Sequence, residues 1–161
     1  MRKQFIGALL VFVLSLTVAL PLFAQGEQYG TPITADVAKK AAAAAIAEAR
    51  KSNFTMAIAI VDPHGFLVYF EKMDNTQNGS VNIAQDKARS AALFKRPTKA
   101  FQDTLAAGGE GLRILALQGA VAAEGGFPII VAGKVIGAIG ASGGTGVQDS
   151  QVAKAGADAV K

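Results

Sequence analysis

Few residues in this chain are able to do chemistry. His64 is the only histidine and there is no cysteine. Zinc signatures that need two or more such ligands are therefore excluded, and a Cys/His nucleophile pair cannot be assembled. What remains is a set of scattered polar groups: Asp62 beside His64, Lys87 and Arg89 close together, Asp149, and the glycine cluster of "VIGAIGASGGTGVQD" from Val135 to Asp149. An apolar run that breaks into glycines and resumes as a helix has the outline of a phosphate-cradling loop. Neither G-x-G-x-x-G nor G-x-x-x-x-G-K-[ST] occurs in it, and Asp149 would set a carboxylate near any phosphate. Two roles stay open for the cluster. Free N–H groups of Gly143, Gly144, Thr145 and Gly146 could form an anion site with Lys87. Alternatively, Gly137, Gly140, Gly143 and Gly144 let a helix lie close to a sheet.

The elements that must position these groups can be read from pattern. Thr34, with Asp36 in the first turn, predicts the cap of an alanine-rich helix over "VAKKAAAAAIAEARKS". Val37, Ala41, Ala44, Ala45 and Ala49 form its apolar stripe. Met56 to Val61 and Phe66 to Met73 are β-type runs separated by Asp62-Pro63-His64-Gly65, a turn signal that predicts an antiparallel hairpin. Ser80 predicts the N-cap of a helix over "VNIAQDKARSAALF", which Pro97 ends and a shorter helix to about Ala106 follows. The stretch "LRILALQGAVAAEGG" reads as short strands with loops. Ile129 to Ala132 and Val135 to Ala141 read as strands joined at Gly133-Lys134, and Gln148 to Lys161 as a final helix. This order predicts an α+β fold, an antiparallel sheet covered by helices.

On the predicted second helix, Lys87 lies four residues after Ile83 and seven before Phe94, so its stem shares a stripe with apolar groups. It could be aimed into a cleft to meet a carboxylate, or it could snorkel to water. Arg89 points to another face and could pair with Asp86. Asp62 and Asp149 could each brace a turn. Lys95, Arg96 and Lys99 read as a solvated face.

The front of the chain is of another kind. Arg2 and Lys3 precede an almost wholly apolar run from Phe5 to Leu20, and Pro21 with Leu22-Phe23-Ala24 leads into polar Gln25-Gly26-Glu27. This is the pattern of a secretory signal peptide over residues 1–24, cleaved after Ala24, in preference to a permanent anchor. It predicts a periplasmic or secreted protein without stable membrane insertion. After it come a flexible lead-in over residues 25–33 and one domain over residues 34–161. The whole chain carries 16 Lys+Arg against 12 Asp+Glu. Without the leader the charge is about +2, too little for a nucleic-acid footprint.

Four segments, "IAIVDPHGFLVYFEKMDN", "IAQDKARSAALF", "GGFPIIVAGKVIGAIGASGG" and "QDSQVAKAG", stand in the order and spacing of a known group. The chain resembles the GlcG/HbpS-like haem-binding family, which includes the C-terminal domain of PduO-type proteins. The resemblance implies a profilin-like three-layer α/β/α sandwich on a five-stranded antiparallel sheet, homo-oligomers, haem as cofactor, and a role in extracytoplasmic haem sensing, storage or handling for secreted members. It brings no single reaction and no catalytic residues. Under it, His64 becomes a candidate ligand of haem iron, with Tyr69, Met73 and Tyr29 as other donors, although His64 reads somewhat better as a solvated turn residue and Tyr69 and Met73 as ordinary packing. Lys87 and Arg89 become candidate partners of the haem propionates. Lys95, Arg96 and Lys99 could play that part if haem sits at a subunit interface.

Overall fold

The computed structural model describes residues 27–161, and the expected leader lies outside the described residues. The chain runs β1 (Gln28–Tyr29), α1 (Ala35–Lys51), β2 (Ala57–Val61), β3 (Leu67–Lys72), α2 (Ser80–Phe94), α3 (Lys99–Ala106), a 3₁₀ helix (Gly109–Ala116), β4 (Gly126–Val131), β5 (Lys134–Ser142) and α4 (Gly146–Asp158).

β5 is the hub of the sheet. It pairs antiparallel with β4 and with β2, and β3 completes the hairpin on β2. The expectation of a purely antiparallel sheet is corrected at one place: β1 runs parallel to β5, with Gln28 beside Lys134 and Tyr29 beside Val135. The sheet is therefore mixed. Part of the predicted lead-in is held on β5 by further backbone bonds, Gly30 N–H to Val135 O and Ile33 N–H to Ile136 O. Two residues of strand carry no periodicity of their own, so tertiary pairing decides their state.

Strand alternation distributes the core between the two sheet faces. Ile58, Ile60 and Ile139 pack with Ala38, Ala41, Ala42 and Ala45 of α1 and with Val152 and Ala153 of α4. Ala57, Ala59, Val61 and Ala138 turn the other way, onto Ala84, Ala88, Ala91 and Ala92 of α2. Small side chains on both surfaces bring α2 unusually close. At Gly140 an added Cβ would collide with the Ala84 carbonyl and the Ala88 amide. This favours the close-packing role for the glycines of β5.

Thr34 caps α1 as predicted, its hydroxyl accepting from Val37 N–H at 3.4 Å. Ser80 does not cap α2. It is the first helical residue after Gly79, and its hydroxyl is buried against that of Ser142 at 3.1 Å. The short strands predicted within residues 112–126 are absent: the 3₁₀ helix, which anchors on buried Ile114, runs to Ala116, and turns and loop follow up to β4. The β4–β5 turn falls one residue earlier than expected, with Ala132 and Gly133 both at positive φ (49° and 71°). That combination gives the twist a two-residue hairpin favours. The last helix starts and ends earlier than predicted.

Candidate functional site

Most of the predicted site residues fall into three separate places. The first is the β2–β3 hairpin. Asp62 Oδ1 accepts from the N–H groups of His64 (2.8 Å) and Phe66 (2.9 Å), and Asp62 N–H closes the turn on Phe66 O at 2.9 Å. One carboxylate thus fixes the tip on which His64 stands exposed. Gly65, at φ 84°, has the stem of Arg89 packed against it, so any side chain there would be strained and crowded. An open cleft of about 250 Å³ follows, lined by Val61, Gly65, Phe66, Leu67, Gln85, Asp86 and Arg89. Phe66 is 68% exposed and Leu67 51%. Among the described residues no hydrogen bond engages the His64 imidazole and no ion pair joins Arg89 to Asp86, which corrects the pairing expected for them.

The second place is the opposite face of β3, toward α1. Tyr69 and Met73 share that face, as strand parity predicted, and both pack against the α1 core. The Tyr69 hydroxyl donates to Glu71 Oε2 at 2.8 Å. That bond, then partial burial and the Glu71 charge, hold the phenol above the ordinary tyrosine range. Arg50 and Glu71 line two shallow depressions here, of about 250 and 280 Å³. Tyr29 is elsewhere again: its hydroxyl donates to Ala92 O and Leu93 O at the end of α2, beneath the Lys95 ammonium. Burial raises its pKa as well.

The third place is the glycine loop, where Lys87 is found in neither of its expected settings. It is 3% exposed; its Nζ stands 2.7 Å from Asp149 Oδ2 and 3.2 Å from Ala141 O. Asp149 uses its other oxygen on Gly144 N–H at 2.9 Å. Thr145 N–H donates to Gln148 Oε1, and Gln148 N–H returns to Thr145 Oγ1 in a capping box. The Glu124 carboxylate packs against Gly146. The anion site expected from Lys87, Gly143, Gly144, Thr145 and Gly146 is therefore corrected. Its cation already has a carboxylate, and the N–H groups of Gly144 and Thr145 already have acceptors. Gly125, at φ 116°, makes the room this pair needs.

Lys95, Arg96 and Lys99 are each occupied locally: with Tyr29 and Glu27 O, with Phe101 and Phe94 O, and with Asp103. The apolar wall of Phe66 and Leu67 was not foreseen. Its signal was present, since two large apolar residues directly follow a turn at an edge strand.

A family model described as "Haem degrading protein HbpS-like" matches residues 33–158. An uncharacterised 15.0 kDa protein from the dhaT-dhaS intergenic region of Citrobacter freundii is 36% identical over 136 residues, 83% of this chain and 95% of that protein. Among solved structures, a double mutant of Streptomyces reticuli HbpS is 29% identical with a TM-score of 0.75, over 89% of this chain and 98% of that one. A PduOC–haem complex is 25% identical with a TM-score of 0.73, over 81% and 96%.

Proposed function

The chain belongs to the HbpS-like family, and from that premise we propose that it binds haem at the hairpin cleft, with His64 as the axial ligand and Arg89 as the partner of a propionate. Haem asks for a nitrogen donor to its iron, an apolar surface for its ring and cations for its carboxylates. The observation that carries the reading is a cleft in which the exposed Phe66–Leu67 wall meets the Arg89 guanidinium, beside a hairpin tip where His64, next to lining residue Gly65, stands exposed; among the described residues neither the imidazole nor the guanidinium has a hydrogen-bond or ion-pair partner. The haem complex of a related domain supports haem as the ligand. Tyr69 and Met73 lie across the sheet from this cleft, and Lys87 is committed to Asp149, so none of them belongs to the site.

A cleft of about 250 Å³ is below the roughly 300–1,000 Å³ of pockets that enclose a ligand. Haem is then covered on one side by this chain, and a homo-oligomer covers the remainder. In this reading residues 1–24 export the chain, the domain is a profilin-like three-layer sandwich, and its role is extracytoplasmic haem sensing, storage or handling rather than catalysis.

Hemin titration of the parent beside Arg89→Ala and Phe66→Ser tests the cleft. Loss of a charge-assisted bond worth ~1.5 kcal/mol weakens binding about tenfold in Arg89→Ala. Equal affinity in all three proteins would remove the cleft from the account.

A further inference from the structure

Asn78 precedes Gly79 in the loop between β3 and α2, and it is the only one of the four asparagines followed by glycine. Asn53, Asn75 and Asn82 are followed by Phe54, Thr76 and Ile83. Both Asn78 and Gly79 are exposed. Gly79 N–H makes no backbone hydrogen bond among the described residues, and an added Cβ there would meet nothing within 4 Å. The Asn78 side-chain carbonyl is not free: Lys72 Nζ donates to its Oδ1 at 2.9 Å.

We infer that Asn78–Gly79 is a self-modification site at which Lys72 assists conversion of the asparagine to aspartate and isoaspartate. The Gly79 backbone nitrogen attacks Asn78 Cγ and loses its proton. The Cγ–Nδ2 bond breaks and ammonia leaves, closing a five-membered succinimide. One water then opens either ring carbonyl, giving an aspartyl or an isoaspartyl linkage with no change of oxidation state. The attack puts negative charge on Oδ1, where the Lys72 ammonium already donates, so the cation stabilises the developing oxyanion. Glycine leaves the attacking nitrogen without a neighbouring side chain in its path.

The product also suits its place. α2 has no acidic residue in its first turn and no side-chain cap. A carboxylate at position 78 faces the positive end of the helix and gains Lys72 as a counter-ion. One step of ageing thus adds a negative charge at the start of the helix that carries both Lys87 and Arg89.

Peptide mapping by mass spectrometry, after incubating the purified full chain in mildly alkaline buffer, tests this beside Gly79→Ala and Lys72→Met. Gly79 has φ −59°, so alanine fits without strain, and Lys72 is exposed, so both variants fold. The expected result is aspartate and isoaspartate accumulating at Asn78 well ahead of the other three asparagines, with severalfold slower conversion in each variant. Conversion at Asn78 no faster than at Asn53, Asn75 or Asn82 would overturn the inference. So would Lys72→Met converting as fast as the parent. Neither outcome depends on haem.

Discussion

Lys87 Nζ lies 2.7 Å from Asp149 Oδ2, with both side chains at most 5% exposed, and this bridge joins the middle of α2 to the first turn of α4. Asp149 passes the connection on to Gly144 N–H, so one buried pair fixes two helices and the loop between β5 and α4. Breaking such a pair from one side strands a charge in a dry site. Lys87→Met is expected to cost ~3–5 kcal/mol in urea unfolding, and the double variant Lys87→Met/Asp149→Leu less than that. A Lys87→Met protein as stable as the parent would show that the pair carries no structural weight.

Gly140 lies against the backbone of α2 at Ala84 and Ala88. Alanine there has to push the helix off an otherwise alanine-lined surface. Gly140→Ala is expected to destabilise by at least ~1–3 kcal/mol, the range for overpacking. Gly79→Ala, which meets nothing, is the control that stays near parent stability. Similar unfolding midpoints for the two would contradict the packing role of Gly140.

These two cases show how the sequence conveys some contacts and conceals others. Thr34 and the Asp62–Gly65 turn were legible because cap and turn chemistry is local, decided by side chains within four residues. The capping box of Thr145 and Gln148 has the Ser/Thr-x-x-Glu/Gln spacing but was missed, because the glycines around it suggested a ligand loop and the helix was started at Gln148. Lys87 was not legible, since its partner lies 62 residues away and helical spacing shows only the stripe on which a stem sits. β1 escaped for a related reason: its state depends on β5, more than a hundred residues further along the chain. The hairpin site was half visible. His64 and Arg89 could be named from their types, but that the stem of Arg89 packs against Gly65, the residue after His64, shows only in the structure.

Tyr69 gives a pH-dependent signature. Its phenol is raised above the ordinary tyrosine value of 10.0 by the Glu71 hydrogen bond, then burial, then the Glu71 charge. A raised folded-state value means that the fold favours the protonated phenol. Its contribution to stability is full below pH 10.0 and is lost as pH climbs through the folded value. Alkaline titration by phenolate absorbance, on a Tyr29→Phe background so that one tyrosine reports, should place the transition above the ordinary range. Glu71→Gln should move it down. A Tyr69 that titrates unchanged in Glu71→Gln would dismiss the carboxylate as the cause.

The central claim is that the lone histidine at the hairpin tip holds haem iron. Its most direct test is the Soret band during hemin titration of the parent protein and of His64→Ala, which removes an exposed side chain whose ring has no hydrogen bond among the described residues. The account predicts a saturable, shifted band in the parent and its loss in His64→Ala, with unfolding stability unchanged. A band of the same position and saturation in His64→Ala would contradict it, and so would a parent spectrum no different from hemin mixed with an unrelated protein.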